Sequence, residues 1–218
     1  MLLLAAADGA GTASKAEAGA RIACETFKAF ISARPNAVEE GAASEWLAYF
    51  QNTVAEAAHG AAAEVHDYAT TFLGAVIGYD TALFIQIGDG ALVTDDADRE
   101  DEYSCVFWPE ETEYANVTYF ATSSDAASHL QVRVVTRPVQ EVALFTDGLQ
   151  RLALHMASRS AHAPFFRSVF KPLRERGAGV SNEDCESLTA FLGSRAVLAR
   201  TDDDKTLILA TRRPNAAL

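Results

Sequence analysis

Apolar residues open the chain in an unbroken run, Met1-Leu2-Leu3-Leu4-Ala5-Ala6-Ala7, which stops at Asp8 and turns through Gly9, Ala10, Gly11 and Thr12. A short apolar run closed by glycine punctuation predicts a buried strand leading into a loop. Ala20, Ile22, Ala23, Phe27 and Phe30 then recur at helical spacing over 16–33, and Trp46, Leu47, Phe50, Val54 and Ala57 repeat that spacing after 36–44. Two long amphipathic helices are expected there. The texture changes at 70–78 and 81–87, two strand-like runs broken at Gly78-Tyr79-Asp80, and Gly88-Asp89-Gly90 makes the next turn. Further strands are predicted at 103–108, 117–121, 131–136 and 142–146, interrupted by an acidic segment over 95–102. Helical spacing returns through Leu149, Leu152, Ala153 and Met156, over 165–173 and over 182–192, and the last strand is predicted at 206–210.

Helices, then many strands, then helices and one closing strand predict an α+β layered domain, a pair of sheets covered by helices, rather than alternating βαβ units. The chain has 218 residues, 49% of them hydrophobic, without repeats or a linker-like stretch, so a single domain over 1–218 is expected. A formal charge of -12 works against nucleic acid and against an anionic membrane surface, both of which need basic patches, and favours metal cations as partners. Cys24, Cys105 and Cys185 are odd in number and in no ligand spacing, which suggests a reduced compartment. The opening apolar run has no basic flank and is too short for a membrane span, so a cytoplasmic location is expected.

Three apolar strands carry aspartates at one end beside a turn: Asp8 after the first, Asp147 after 142–146, and Asp202-Asp203-Asp204 just before the last. Carboxylates gathered at one edge of a core repel one another and lose solvation, so they remain ionised only where cations compensate them. Oxygen ligands without nearby His or Cys suit Mg2+ or Mn2+ rather than Zn2+. Two such ions can share and acidify a water and neutralise the charge that develops on a phosphoryl group, with no side-chain nucleophile. Spacing alone leaves this open, because Asp-Gly is a common turn pair and an aspartate triplet before a strand is commonly a solvated loop.

Asp8-Gly9-Ala10-Gly11 resembles the first motif of the metal-dependent protein serine/threonine phosphatases of type 2C. Thr70-Thr71 before Phe72-Leu73-Gly74 is similar to their Gly-Ser-Thr strand, and Gly88-Asp89-Gly90 to their Gly-Asp-Ser turn. Phe145-Thr146-Asp147-Gly148-Leu149 resembles the Ser-Asp-Gly-Leu motif, and Asp203-Asp204-Lys205-Thr206-Leu207 the closing Asp-Asn/Asp-x-Thr motif, all in the family's order. Tyr114 to Phe120 and Ala163-Pro164-Phe165-Phe166 resemble a bacterial subgroup. The resemblance implies a four-layer αββα fold with a central antiparallel β-sandwich flanked by helices. It also implies a phosphoprotein phosphatase that hydrolyses phosphoserine and phosphothreonine, opposing a Ser/Thr kinase, with two Mn2+ or Mg2+ ions and in some members a third.

Carried over residue by residue, the resemblance implies that Asp8 bridges both ions, that Gly9 offers its backbone carbonyl to one, and that Asp147 and Asp203 complete the other. Asp203 is preferred to its neighbours because it stands three before Thr206. Asp89 and Thr71 match positions that are mainly structural in the family and are left out of the set. Family members usually begin earlier, with a strand that supplies an acidic ligand, and this sequence starts after it; the alternative function is therefore a weakly active or noncatalytic phosphatase-like regulatory or binding module. Many eukaryotic members carry His after Asp-Gly as a general acid, where this chain has Ala10.

The remaining features take blander readings. The acidic run fails as a calcium loop, because Asp101 stands where the glycine is needed and Phe107 where the last glutamate is needed, counting from Asp96. His59, His66, His129, His155 and His162 form no tight pair on a helix face and are read as packing or surface residues. Arg133, Arg167 and Arg200 are guanidinium groups that could meet a phosphate, but spacing does not choose among them. Phe165, Phe166 and Phe170 are read as core.

Overall fold

A computed structural model describes residues 1–34, 38–109 and 118–213. The first strand, β1 (Leu2–Ala6), is followed by helices α1 (Ala16–Ser32) and α2 (Glu40–Gly60). Strands β2 (Phe72–Ile77), β3 (Ala82–Ile87), β4 (Ala91–Asp95), β5 (Tyr103–Cys105), β6 (Gln131–Val135) and β7 (Glu141–Phe145) come next. A short helix α3 (Gln150–Ala153), a hairpin of β8 (Leu154–His155) and β9 (Ser160–Ala161), helices α4 (Ala163–Glu175), α5 (Asn182–Leu192) and α6 (Arg195–Leu198), and strand β10 (Leu207–Thr211) complete the chain.

Two four-stranded antiparallel sheets, ordered β1-β2-β3-β6 and β10-β7-β4-β5, stack on one another. The period of two along each strand sorts its side chains into layers. In β2, Leu73, Ala75 and Ile77 join Phe84 of β3, Leu92 of β4 and Leu144 of β7 in the sandwich core, while Phe72 and Val76 turn outward onto Phe27, Trp46 and Phe50 of the first helix pair. On the far side Val93, Ala143 and Phe145 meet Leu152, Phe166 and Phe170. Helix, sheet, sheet, helix is thus the order of layers, which is the αββα sandwich anticipated from the sequence. Covering both faces explains why every residue of β2, β3 and β7 is buried, where a one-sided antiparallel strand would alternate.

Several local expectations need correction. Strand β4 was not anticipated, because its short apolar stretch runs straight into the acidic segment. Of the strand expected at 103–108 only Tyr103–Cys105 pairs. Val117 lies outside the described residues, and 118–121 form no strand. The helix expected through Met156 ends at Ala153, where Leu154 turns extended and pairs with Ala161.

The end of the sandwich away from the Asp8 corner is tied by a polar network. Glu141 is only 5% exposed; it accepts from the Tyr103 hydroxyl at 2.6 Å and from Arg174 at 2.7 and 2.8 Å. Removing one partner of a buried pair leaves the other charge uncompensated. Arg174→Met is expected to cost about 2 kcal/mol, discounted because Arg174 is partly exposed, and to lower the melting temperature by about 4–8 °C. Scanning calorimetry checks this, and an unchanged midpoint would show the network to be dispensable.

Candidate metal centre

Strand register brings the motif loops to one end of the sandwich. Ala6 faces Leu73, Phe72 faces Ile87, and Phe145 faces both Leu207 and Ala91 across its two neighbours. The residues just beyond these pairs are Asp8, Thr70 and Thr71, Asp89, Asp147 and the 202–204 loop. Backbone bonding fixes the first corner: the Thr71 amide donates to the Asp8 carbonyl at 2.8 Å, and the Thr71 hydroxyl accepts from the Asp8 amide at 3.1 Å. Thr70 adds its hydroxyl to the same Asp8 carbonyl at 3.0 Å. Gly9 lies against the start of α1, where a Cβ would stand 2.7 Å from Ala16, so close packing alone calls for glycine there.

The second corner joins Asp147 to the closing motif. Thr146 and Thr206 exchange hydrogen bonds, amide to carbonyl at 3.2 Å and amide to hydroxyl at 3.1 Å. A Cβ on Gly148 would sit 2.1 Å from the Asp204 carbonyl oxygen, so the 202–204 loop rests directly on that glycine. Asp203 is exposed; its carboxylate accepts from the Asp204 amide at 2.9 Å, and Lys205 donates to its carbonyl at 2.7 Å.

Electrostatics shows which carboxylates have come together. Burial pushes Asp147 up to about 7, reinforced by the negative charges of Asp89, Asp203 and Asp8. Asp8 is raised for the same reasons, burial first and then Asp203 and Asp89, while a hydrogen bond shared with Asp147 pulls the other way. Both shifts favour the protonated form of these two carboxyl groups where no cation compensates their charge. Asp204 raises Asp8 too, by less than Asp203 and Asp89 do. Asp8, Asp147 and Asp203 thus stand together at one end of the sandwich, and the structure adds Asp89, which the motif resemblance alone left out. Asp89 is held by the Thr118 hydroxyl at 2.7 Å and by Gln150, whose side chain donates to its carbonyl. Its Gly-Asp-Gly turn was visible in sequence, but nothing in the spacing showed that β3 and β4 aim this turn at Asp147.

The donor set fits a hard divalent cation. Among the described residues no three Asp, Glu, His or Cys side chains close on a common point as a finished cage. The groups stand in mutual repulsion instead, and one oxygen of Asp147, Oδ1, is buried without a hydrogen-bond partner among the described residues. An orphaned carboxylate oxygen inside a ring of like charges is where a cation gains most. Of the arginines considered from sequence, Arg133 stands on β6 at the side of the sandwich and Arg167 lies 3.9 Å from Glu102.

The comparisons agree with this architecture. The protein phosphatase 2C family model matches residues 1–193, a span that contains Asp8, Gly9 and Asp147 and stops short of Asp203. Serine/threonine-protein phosphatase 3 of Escherichia coli (strain K12) is 40% identical over 219 residues, covering 96% of this chain and 83% of that protein. Among solved structures, a bacterial serine phosphatase superposes with a TM-score of 0.64 at 14% identity, covering 99% of this chain and 87% of that one. The catalytic domain of the serine threonine protein phosphatase PstP, in complex with two manganese ions, superposes with a TM-score of 0.64 at 12% identity, covering 95% of this chain and 85% of that one. The chain belongs to the protein phosphatase 2C family, the metal-dependent serine/threonine phosphatases. It is a protein phosphatase with the αββα sandwich of that family.

Proposed function

We propose that the chain hydrolyses phosphoserine and phosphothreonine in proteins at the cluster of Asp8, Gly9, Asp147 and Asp203, and that Mn2+ or Mg2+ is its cofactor. The observation that supports this is that Asp8, Asp89 and Asp203 all press their charge on Asp147, whose buried Oδ1 has no hydrogen-bond partner among the described residues. A pair of divalent ions would supply an acidified water and neutralise the charge that builds on the phosphoryl oxygens. The chain's own part is to hold the negative charge that attracts the ions. Asp8 is fixed by the Thr70 and Thr71 bonds on one sheet, and Asp147 and Asp203 by the Thr146, Gly148 and Thr206 contacts on the other, so the two sheets jointly set the spacing of the site. Asp89 adds a fourth charge and is the residue through which a further ion would be held. Neither the Ala10 side chain nor any imidazole stands in the motif loops, so the leaving group takes its proton from water or from another residue. A Ser/Thr kinase as the opposing enzyme and the cytoplasm as its place follow from the same reading. Among the described residues no helix is long and apolar enough to cross a membrane.

Neighbouring aspartates of the closing loop separate this reading from a simple effect of surface charge. Asp203→Asn is expected to lower the turnover of a phosphothreonine peptide by about 100-fold or more, since it removes charge the ions require. Asp202→Asn is expected to stay within about twofold of wild type, as exposed substitutions away from a site generally do. Steady-state kinetics on the two variants decides; equal losses would move the assignment to another member of the triplet.

A further inference from the structure

On one side the two sheets end in β5 and β6, whose outer edges pair with no further strand among the described residues. Between them lies a recess of about 490 Å³, bordered by residues 103–108, by β6 and by the β8–β9 hairpin. Along β6, Val132 and Val134 pack toward the helices and Val135 toward the sandwich core, so Gln131 and Arg133, on Val135's side, face the gap between the sheets. A sandwich closed at this edge would carry apolar residues at both positions. Arg133 is exposed instead, its guanidinium 5.2 Å from the centre of the Phe107 ring, with no ion pair to any described residue. Arg159 lies 5.9 Å over the Trp108 ring in the same recess, and Arg99 borders it with its charge taken by Asp96 at 2.9 Å. Gln131 brings a buried Oε1 that no described group satisfies.

In a chain of net charge -12, the Arg133 guanidinium laid beside the Phe107 ring in this recess selects for an anion with a planar, two-oxygen head. The Gln131 oxygen calls for a donor, which an extended peptide supplies from its backbone amides. We infer that this recess is a docking subsite for an acidic side chain of the phosphoprotein substrate, with Arg133 as its main contact. The inference rests on the phosphatase reading for where the phosphorylated residue lies. Gln131 faces Gln86 across the β3–β6 pair, and Gln86 donates to the Gly90 carbonyl at 3.0 Å beside Asp89. Arg133 itself faces Phe84, and the five residues from Phe84 to Asp89 span at most roughly 17 Å, so an extended substrate would place its acidic residue about five positions from the phosphorylated one.

The test pairs two phosphothreonine peptides that differ only in Glu or Gln at those positions, with p-nitrophenyl phosphate as a substrate too small to reach the recess. For the wild type, kcat/KM for the Glu peptide is expected to exceed that for the Gln peptide by about fivefold, mostly through KM, and the ratio should shrink in high salt. Arg133→Gln is expected to bring the ratio to about one and leave p-nitrophenyl phosphate turnover unchanged. A ratio of one in the wild type, or a preference that survives in the variant, overturns the inference while leaving the phosphatase reading intact. A variant that only self-associates, seen by light scattering, would show Arg133 to be a guard on an open sheet edge and would also overturn it. Binding of the two peptides in unphosphorylated, fluorescein-labelled form, followed by anisotropy, separates the same outcomes independently of turnover: the Glu form should bind about fivefold tighter to wild type and equally to the variant.

Discussion

Asp147→Asn is expected to lower turnover by on the order of a thousandfold, because a catalytic metal centre contributes several kcal/mol to the barrier and this half-buried carboxylate is one of its anchors. The same substitution is expected to stabilise the protein when metal is absent. Asp147 is pushed up to about 7 in the fold, against about 4 in an unfolded chain. A carboxyl raised in this way favours the folded state in its protonated form. That contribution is present below pH of about 4 and is lost as the pH rises through about 7. Asn cannot ionise, and its amide can donate to Asp8 as the protonated carboxyl does. In chelator at pH 8 the variant should therefore melt higher than wild type, with the difference vanishing near pH 4. Added Mn2+ should reverse the order, by stabilising the wild type and not the variant. Calorimetry with and without metal reads both arms, and a variant that melts lower at pH 8 without metal would mean that Asp147 is held by contacts rather than opposed by charge.

Gly148→Ala is expected to act nearly as strongly without touching a charge. The new methyl group would lie 2.1 Å from the Asp204 carbonyl oxygen, a distance that backbone cannot tolerate, so the loop carrying Asp203 must move. Displacing a charge-bearing group by about 1 Å can cost on the order of 100-fold in rate. Turnover of a phosphothreonine peptide is expected to fall by about that factor, and higher Mn2+ should recover part of it, because the ligands remain and only their spacing is altered. Full activity in this variant would show that the 202–204 loop does not need its seat on Gly148.

The parts of the fold that periodicity revealed are those with long or strongly apolar signals. Trp46, Leu47, Phe50 and Val54 all lie in the buried stripe of α2, and α5 has the bounds its spacing gave. Helices on either side of a strand-rich middle pointed to a pair of sheets covered by helices, and the family resemblance implied the four-layer order. Strand β4 was lost because Asp95 and Asp96 follow its apolar residues at once, and the hairpin after Ala153 was lost because Leu154 and Met156 keep helical spacing while the backbone has already turned. The site divides in the same way. Asp8, Asp147, Asp203 and Asp89 each carried a local signal, a strand end beside a turn and a motif of the family, but that Asp89 acts on Asp147 and Asp8 depends on the antiparallel register that sets the β3–β4 turn beside them. Long-range pairing has no periodic trace in the chain. The recess at Arg133 was hidden for a related reason: Arg133 reads as one of three arginines that could meet a phosphate, and nothing sets it apart until the opposite sheet is in place.

Phosphate release from a phosphothreonine peptide, followed first with Mn2+, then after excess chelator, then after Mn2+ is restored, tests the central claim most directly. Release that stops with chelator and resumes with Mn2+ is the predicted result, because the aspartate cluster has no nucleophile of its own and works only through the ions it holds. Release that continues unchanged in chelator, or none in the presence of Mn2+, would contradict the assignment of Asp8, Asp147 and Asp203 as the centre of a metal-dependent phosphatase.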